Sequence, residues 1–216
     1  MGVKAHAVVV LTTTALVACS TFTAPADACG HTYCADFEKP LAAPWSFQSN
    51  PGATGTIKDG HYDVQVAGGQ GEGAMLYLRL NTPVTKMTCG VTITITTAPS
   101  RGDIFLAAVG AADPAPDTYV GVSVSPSRLE IAIGRDAPAT TAQIAVGTPT
   151  RLAVEVEGNG TNPALTRDAD RTSTPDPWTH GKLNNMFFGL KPNDQSTAPT
   201  DAWAATFDDA WCDVIE

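Results

Sequence analysis

Between residues 87 and 96, apolar Met87, Cys89, Val91, Ile93 and Ile95 occupy the odd positions, and Thr88, Gly90, Thr92, Thr94 and Thr96 the even ones. Successive side chains of an extended chain point to opposite faces, so this run predicts a strand with one face in a core and the other in water. Leu152, Val154 and Val156 repeat the pattern and leave Glu155 and Glu157 outward. Similar runs, bounded by Gly, Pro, Asn and Asp, predict strands over 33–38, 45–48, 61–66, 75–80, 87–97, 104–109, 119–124, 129–134, 142–146, 152–157, 186–190 and 204–214. No segment of helical length keeps a 3.6-residue apolar period. The pattern is that of an all-β, antiparallel two-sheet sandwich. Residues 158–182 interrupt it with Asn159-Gly160, Asn162-Pro163, Thr174-Pro175 and Asp176-Pro177, and read as a long loop with room for one short strand.

The N-terminus has a different grammar. Lys4 precedes an apolar stretch from Ala7 to Ala18, about 12 residues and well short of the roughly 20 that span a bilayer as a helix. Leu16-Val17-Ala18-Cys19 follows and resembles the lipobox of bacterial lipoproteins. That resemblance implies cleavage before Cys19, a lipid on its sulfur and attachment to a membrane, residues 1–18 being the signal peptide. Ser20 stands where an aspartate signals inner-membrane retention in that family, so the resemblance implies the outer membrane or cell surface. Diacylglycerol plus an N-acyl chain exceeds the two lipid signals that stable anchoring needs. The competing reading is a cut after Ala26-Asp27-Ala28 that releases a soluble secreted protein. Residues 19–32, rich in Thr, Ala and Pro, read as a tether, and 33–216 as the sandwich domain.

Charge narrows the partners. The chain carries 13 Lys and Arg against 22 Asp and Glu, net −9. Lys4 is the one charge lost with the signal segment, which makes the remainder more acidic still. A surface of that sign repels phosphate backbones, so nucleic acid is not an expected partner.

Either cut leaves Cys29, Cys34, Cys89 and Cys212, which in an oxidising compartment read as two disulfides. Cys29-Gly30-His31-Thr32-Tyr33-Cys34 sets a histidine between two thiols, but no second ligand pair follows at zinc spacing.

The two ends of the domain carry a further likeness. Cys34-Ala35-Asp36-Phe37-Glu38 followed by Trp45, and Thr206-Phe207-Asp208-Asp209-Ala210-Trp211 near the C-terminus, resemble the opening and closing strands of concanavalin A-like jelly rolls. That group includes laminin-G-type domains and several carbohydrate-binding modules. The resemblance implies that the first and last strands pair in one sheet. With Phe37 and Phe207 pointing inward, Cys34 and Cys212 then face outward on adjacent strands and bond, leaving Cys29 for Cys89. Four cysteines allow three pairings, and a bulge at Asp208-Asp209 would reverse this parity. The resemblance also gives Glu38 and Asp208 or Asp209 to a structural calcium, as hard oxygen ligands. No other cofactor is implied.

Chemistry is harder to find. Glu155 and Glu157 lie about 7 Å apart on one strand face. Laminarinase-type jelly-roll enzymes carry E-x-D-x-E, and this chain has neither its middle aspartate nor its third acid, so the pair reads as an acidic strand face. No G-x-S-x-G elbow is present, and no catalytic residue is assigned. Trp178, in the long loop with Asp176 and His180, is the candidate for stacking on a sugar ring, with core packing or loop pinning as its other reading. The expected protein is a lipid-anchored surface protein with a non-catalytic jelly-roll domain that binds glycan or a surface protein. A structural or adhesion lipoprotein without a small-molecule site is the alternative, and a divergent glycan hydrolase or lyase the third.

Overall fold

Alternation resolves into strands throughout the described part of the chain. The computed structural model describes residues 29–67, 73–98, 102–113, 118–192 and 202–216, so Cys19, the signal segment and both cleavage sites lie outside the described residues. The strands are β1 (Tyr33–Ala35), β2 (Trp45–Ser49), β3 (Ala53–Lys58), β4 (His61–Val66), β5 (Ala74–Val84), β6 (Lys86–Thr97), β7 (Ile104–Ala111) and β8 (Tyr119–Val124). They continue with β9 (Leu129–Ile133), β10 (Ala139–Thr141), β11 (Thr150–Glu157), β12 (Ala164–Arg167), β13 (Asp170–Ser173), β14 (Leu183–Pro192) and β15 (Trp203–Ile215).

Two antiparallel sheets face one another. One runs β13-β12-β11-β6-β15-β4-β3, with β1 also paired to β15, and the other runs β10-β9-β8-β7-β14-β5-β2. The inward side chains of both form one core: Val91, Ile93, Leu152, Val154 and Phe207 from the first, Leu76, Leu78, Val120, Val122 and Phe188 from the second. These are the period-two positions of their strands, and burying a side chain of this size stabilises by about 1.5–3 kcal/mol.

Three elements depart from the sequence expectations. Residues 53–58 form β3, which pairs with β4 through the turn Asp59-Gly60, both with positive φ. That is the two-residue turn whose twist matches paired strands. Residues 158–182, expected to hold at most one short strand, contain the β12–β13 hairpin, closed through Asp168 at φ 52°. The strand expected over 142–146 lies earlier, at β10, because Gly147 takes a positive φ and donates to the Ile95 carbonyl, which turns the chain away from the ladder.

The first and last strands pair, Cys34 standing opposite Trp211. The disulfides, however, join Cys29 to Cys34 and Cys89 to Cys212, correcting the expected Cys34–Cys212 and Cys29–Cys89 pairing. The cause is the bulge in β15 between Asp208 and Trp211, where Asp209 takes φ 49°. It reverses the parity, so Cys212 points inward with Phe207 and meets Cys89, its direct partner in the ladder.

Within the stretch read as a tether, residues 31 and 32 are fixed to the last strand. His31 Nδ1 lies 2.8 Å from Asp213 Oδ2, and the Thr32 amide donates to Asp213 Oδ1 at 2.9 Å. Partial burial alone would raise the Asp213 carboxyl, but these bonds outweigh it and hold the group below the ordinary aspartate range.

The Cys89–Cys212 bond spans 123 residues and the Cys29–Cys34 bond only 5. Loop-closure entropy assigns about 5 kcal/mol to the first and about 2 to the second. Urea unfolding of Cys89→Ala/Cys212→Ala should therefore show the larger loss of stability, and Cys29→Ser/Cys34→Ser the smaller. A depressed aspartate stabilises above its unfolded pKa, about 3.9, and loses that contribution as pH falls through its folded value. The gap in urea midpoint between wild type and Asp213→Asn should close as the pH drops below about 4.

Candidate binding face

The outer face of the seven-stranded sheet is built by the same alternation that fills the core. With Leu76, Leu78 and Leu80 inward, β5 turns Tyr77 and Arg79 outward, and with Met186, Phe188 and Leu190 inward, β14 turns out Asn185 and Phe187. On β8, inward Val120, Val122 and Val124 leave Tyr119, Gly121 and Ser123 outside. Strand register then sets these side chains in rows. Tyr77 stands opposite Phe187, Phe187 opposite Ala108, and Ala108 opposite Gly121. Beside them Arg79 faces Asn185, Asn185 faces Gly110, and Gly110 faces Tyr119.

The result is two half-buried aromatic pairs separated by a strip of small residues. Tyr77 and Phe187 meet at 5.7 Å between ring centroids and 54°, and Phe105 and Tyr119 at 5.8 Å and 87°, the edge-on geometry aromatic quadrupoles favour. Glycine is required in the strip. A Cβ on Gly121 would lie 2.6 Å from Phe105 Cε1, and one on Gly110 would collide with the Asn185 amide.

Polar groups border the rings. Tyr77 Oη donates to Met75 Sδ at 3.4 Å, and Asn185 Nδ2 to Asn184 Oδ1 at 2.7 Å. Burial pushes the Tyr77 hydroxyl above its ordinary pKa, with Arg79 opposing, so the phenol stays protonated and serves as a hydrogen-bonding group. At the far edge Glu130, opposite Ser123, is nearly covered and ion-paired to Arg128. Burial raises its carboxyl, Arg128 lowers it, and Asp103 raises it further, the net direction being upward. Among the described residues no histidine stands on this face: His31 and His61 belong to the other sheet and His180 to the loop before β14.

The residues singled out from the sequence lie elsewhere. Trp178 is fully buried, its Nε1 donating to the Gly181 carbonyl at 2.8 Å and its amide to the Thr161 carbonyl at 2.9 Å. Asn162 ties the same loop to the carbonyls of Thr174 and Pro175. The indole pins the loop, which corrects its reading as a sugar platform. His180 rests edge-on against it at 4.9 Å, and Asp176 is exposed, with its carbonyl accepting from Thr174 Oγ1.

The expected calcium ligands Glu38, Asp208 and Asp209 have these neighbours. Glu38 lies against Gly60 in the β3–β4 turn, Asp208 sits 3.5 Å from His61, and Asp209 projects from the bulge. Among the described residues no three His, Cys, Asp or Glu side chains gather as a metal site. Glu155 is committed to ion pairs with Lys86 at 3.0 Å and Arg171 at 3.3 Å. Burial would raise its carboxyl, but hydrogen bonds from Lys86 and Arg171 bring it below the ordinary range. Glu157 shares Lys86 at 3.9 Å, so the two acids form part of a charge network.

No family model matches the sequence, and no curated protein matches it. Solved structures do match in shape. Cellulose induced protein Cip1 superposes with a TM-score of 0.60 at 14% identity, over 83% of this chain and 96% of that one. Alginate lyase A1-II', a member of polysaccharide lyase family 7, gives 0.58 at 14% identity, over 79% of this chain and 83% of that one. A sialidase gives 0.59 at 9% identity over 79% of this chain, which spans only 17% of the sialidase. At these identities the likeness is one of fold: the chain is an all-β, antiparallel two-sheet jelly-roll sandwich of the concanavalin A-like kind.

Proposed function

We propose that this jelly roll is a non-catalytic glycan-binding domain, and that it is held at the outer membrane or cell surface by lipid on Cys19. The observation that carries the binding reading is the pair of aromatic clusters, Tyr77–Phe187 and Phe105–Tyr119, on an open sheet face with Arg79 and Asn185 beside them. Aromatic rings offer an apolar surface to the C–H face of a sugar, and the guanidinium and amide supply hydrogen bonds to hydroxyl or carboxylate groups. The structural neighbours, among them an alginate lyase, support a polysaccharide ligand.

A second reading, a lyase acting on an acidic polysaccharide, draws on the cluster of Tyr77, Arg79 and Asn185. Such a reaction needs a base for the sugar C–H proton and donors for the carboxylate.

Affinity electrophoresis through alginate, cellulose derivatives and xylan tests the proposal. Retardation by at least one polysaccharide is expected, with Tyr77→Ala and Phe187→Ala each weakening it about tenfold, or ~1.4 kcal/mol. Lys58→Gln, exposed on the other sheet, should leave it unchanged. No retardation by any polysaccharide would sink the binding reading, and an unsaturated product from alginate would replace it with the lyase. For the address, Cys19→Ala should shift the protein from the membrane to the soluble fraction and abolish metabolic labelling with palmitate.

A further inference from the structure

The eight-stranded sheet carries a separate concavity on its own outer face. Register sets Thr166 opposite Ala153, Ala153 opposite Gly90, and Gly90 opposite Trp211. A row holding only Ala and Gly between Thr and Trp leaves a groove of about 460 Å³, within the range of small-ligand sites.

Its walls are preformed. At one end the Trp211 indole covers Gly90 so closely that a Cβ there would fall 2.5 Å from Trp211 Cε2, and His31 stacks on Trp211 at 3.9 Å and 12°. His31 is held in turn by Asp213 and by the loop that the Cys29–Cys34 disulfide closes. At the other end Arg151 is fixed through its backbone, its amide donating to Asp168 Oδ1 at 3.0 Å and its carbonyl accepting from the Asp168 amide at 2.8 Å. Arg151 lines the groove from the outward side of β11, and its guanidinium has no hydrogen-bond or ion-pair partner among the described residues. Asp36 and Asp209, neither ion-paired to a described cation, line the groove toward β1 and β15.

Charge and length select the ligand. One guanidinium against the carboxylates of Asp36, Asp168 and Asp209 disfavours a simple anion, and a simple cation leaves Arg151 unmatched. A dipolar ligand satisfies both ends, because Arg151 can fork a carboxylate while the aspartates take an ammonium group. Arg151 on β11 and Asp209 on β15 are separated by β6, two inter-strand spacings or about 10 Å. An extended tripeptide covers about the same distance, at ~3.3–3.6 Å per residue. We propose that this groove binds a short peptide by its free ends, the carboxylate on Arg151 and the ammonium on Asp209 and Asp36, with its side chains against the His31–Trp211 stack.

The test is an NMR titration of the ¹⁵N-labelled protein with trialanine, run beside N-acetyl-trialanine and trialanine amide. Free trialanine should give saturable shifts at the Trp211 indole N–H and the Gly90 and Ala153 amides. Either blocked peptide should bind at least tenfold more weakly. Arg151→Gln should remove the preference for a free carboxylate, and Asp209→Asn the preference for a free ammonium, each keeping its selectivity for the other end. The core indoles of Trp45, Trp178 and Trp203 report that each variant is folded. The proposal is overturned if no saturable shift appears, if free and blocked peptides bind alike, or if the shifts centre on Tyr77 and Phe187. The glycan face is on the opposite sheet, so Tyr77→Ala leaves this titration unchanged whether or not that face binds sugar.

Discussion

Phe207 and Cys212 are five residues apart on one strand, and on a regular strand they would point to opposite sides. Both are buried in the core because the bulge between Asp208 and Trp211 inserts the odd residue that restores the phase. Much of the sandwich depends on that shift. Before it, Trp203, Ala205 and Phe207 pack inward against the seven-stranded sheet. After it, Ala210 and Cys212 do so, and Cys89 meets Cys212 on the inner face of their own sheet. The same shift turns Trp211 and Asp213 outward, where they receive His31 and Thr32 and fix the entry of the chain. One extra residue thus sets the cross-link in the core, the wall of the outer groove and the docking of the first strand.

This explains which parts of the structure could be read from sequence. Strands whose inward residues are large and apolar, such as β4 and β8, are found at their expected limits, because burial of one face fixes both period and phase. Strand β3 was not legible: Ala53-Thr54-Gly55-Thr56-Ile57-Lys58 buries little, and its pairing rests on the Asp59-Gly60 turn and on Gly55, which leaves room for Tyr62. The disulfide pairing failed for a different reason. A bulge is one residue long and leaves no compositional mark, yet it inverts every assignment beyond it. Of the two readings of Trp178, loop pinning is the one the structure shows, because Asn162 and Thr174 fold that loop down over the indole. The aromatic face, in contrast, was present in the alternation: inward Leu76, Leu78 and Leu80 require an outward Tyr77 and Arg79. A core-first reading passes over such residues because they lie between the positions it counts.

The two outer faces solve the problem of an exposed sheet differently. On the eight-stranded sheet Lys86, Glu155, Glu157 and Arg171 form a charge network, which keeps the surface wet and gives up its side chains to one another. On the seven-stranded sheet the central positions are Ala108, Gly110 and Gly121; Phe105 and Tyr119 lean over Gly121 and the Asn185 amide over Gly110. Rings packed against neighbours have already lost much of their rotamer freedom, so a ligand that lies on them need not order them again. Arg79, exposed and long, must still be ordered on binding. In the proposed complex the rings are the source of affinity, and the flexible guanidinium and the amide beside it of selectivity.

Placement bears on the proposed glycan face. Cys29, the first described residue, lines the groove on the outer side of the eight-stranded sheet, beside β1 and the C-terminal half of β15. The aromatic clusters lie on the outer side of the opposite sheet, so the full thickness of the sandwich separates them from the point where the chain enters. With lipid on Cys19, as proposed, about ten residues connect the membrane to Cys29 and reach at most roughly 35 Å when extended. If the chain is anchored there, as proposed, the seven-stranded face is the one on the far side of the sandwich from the tether.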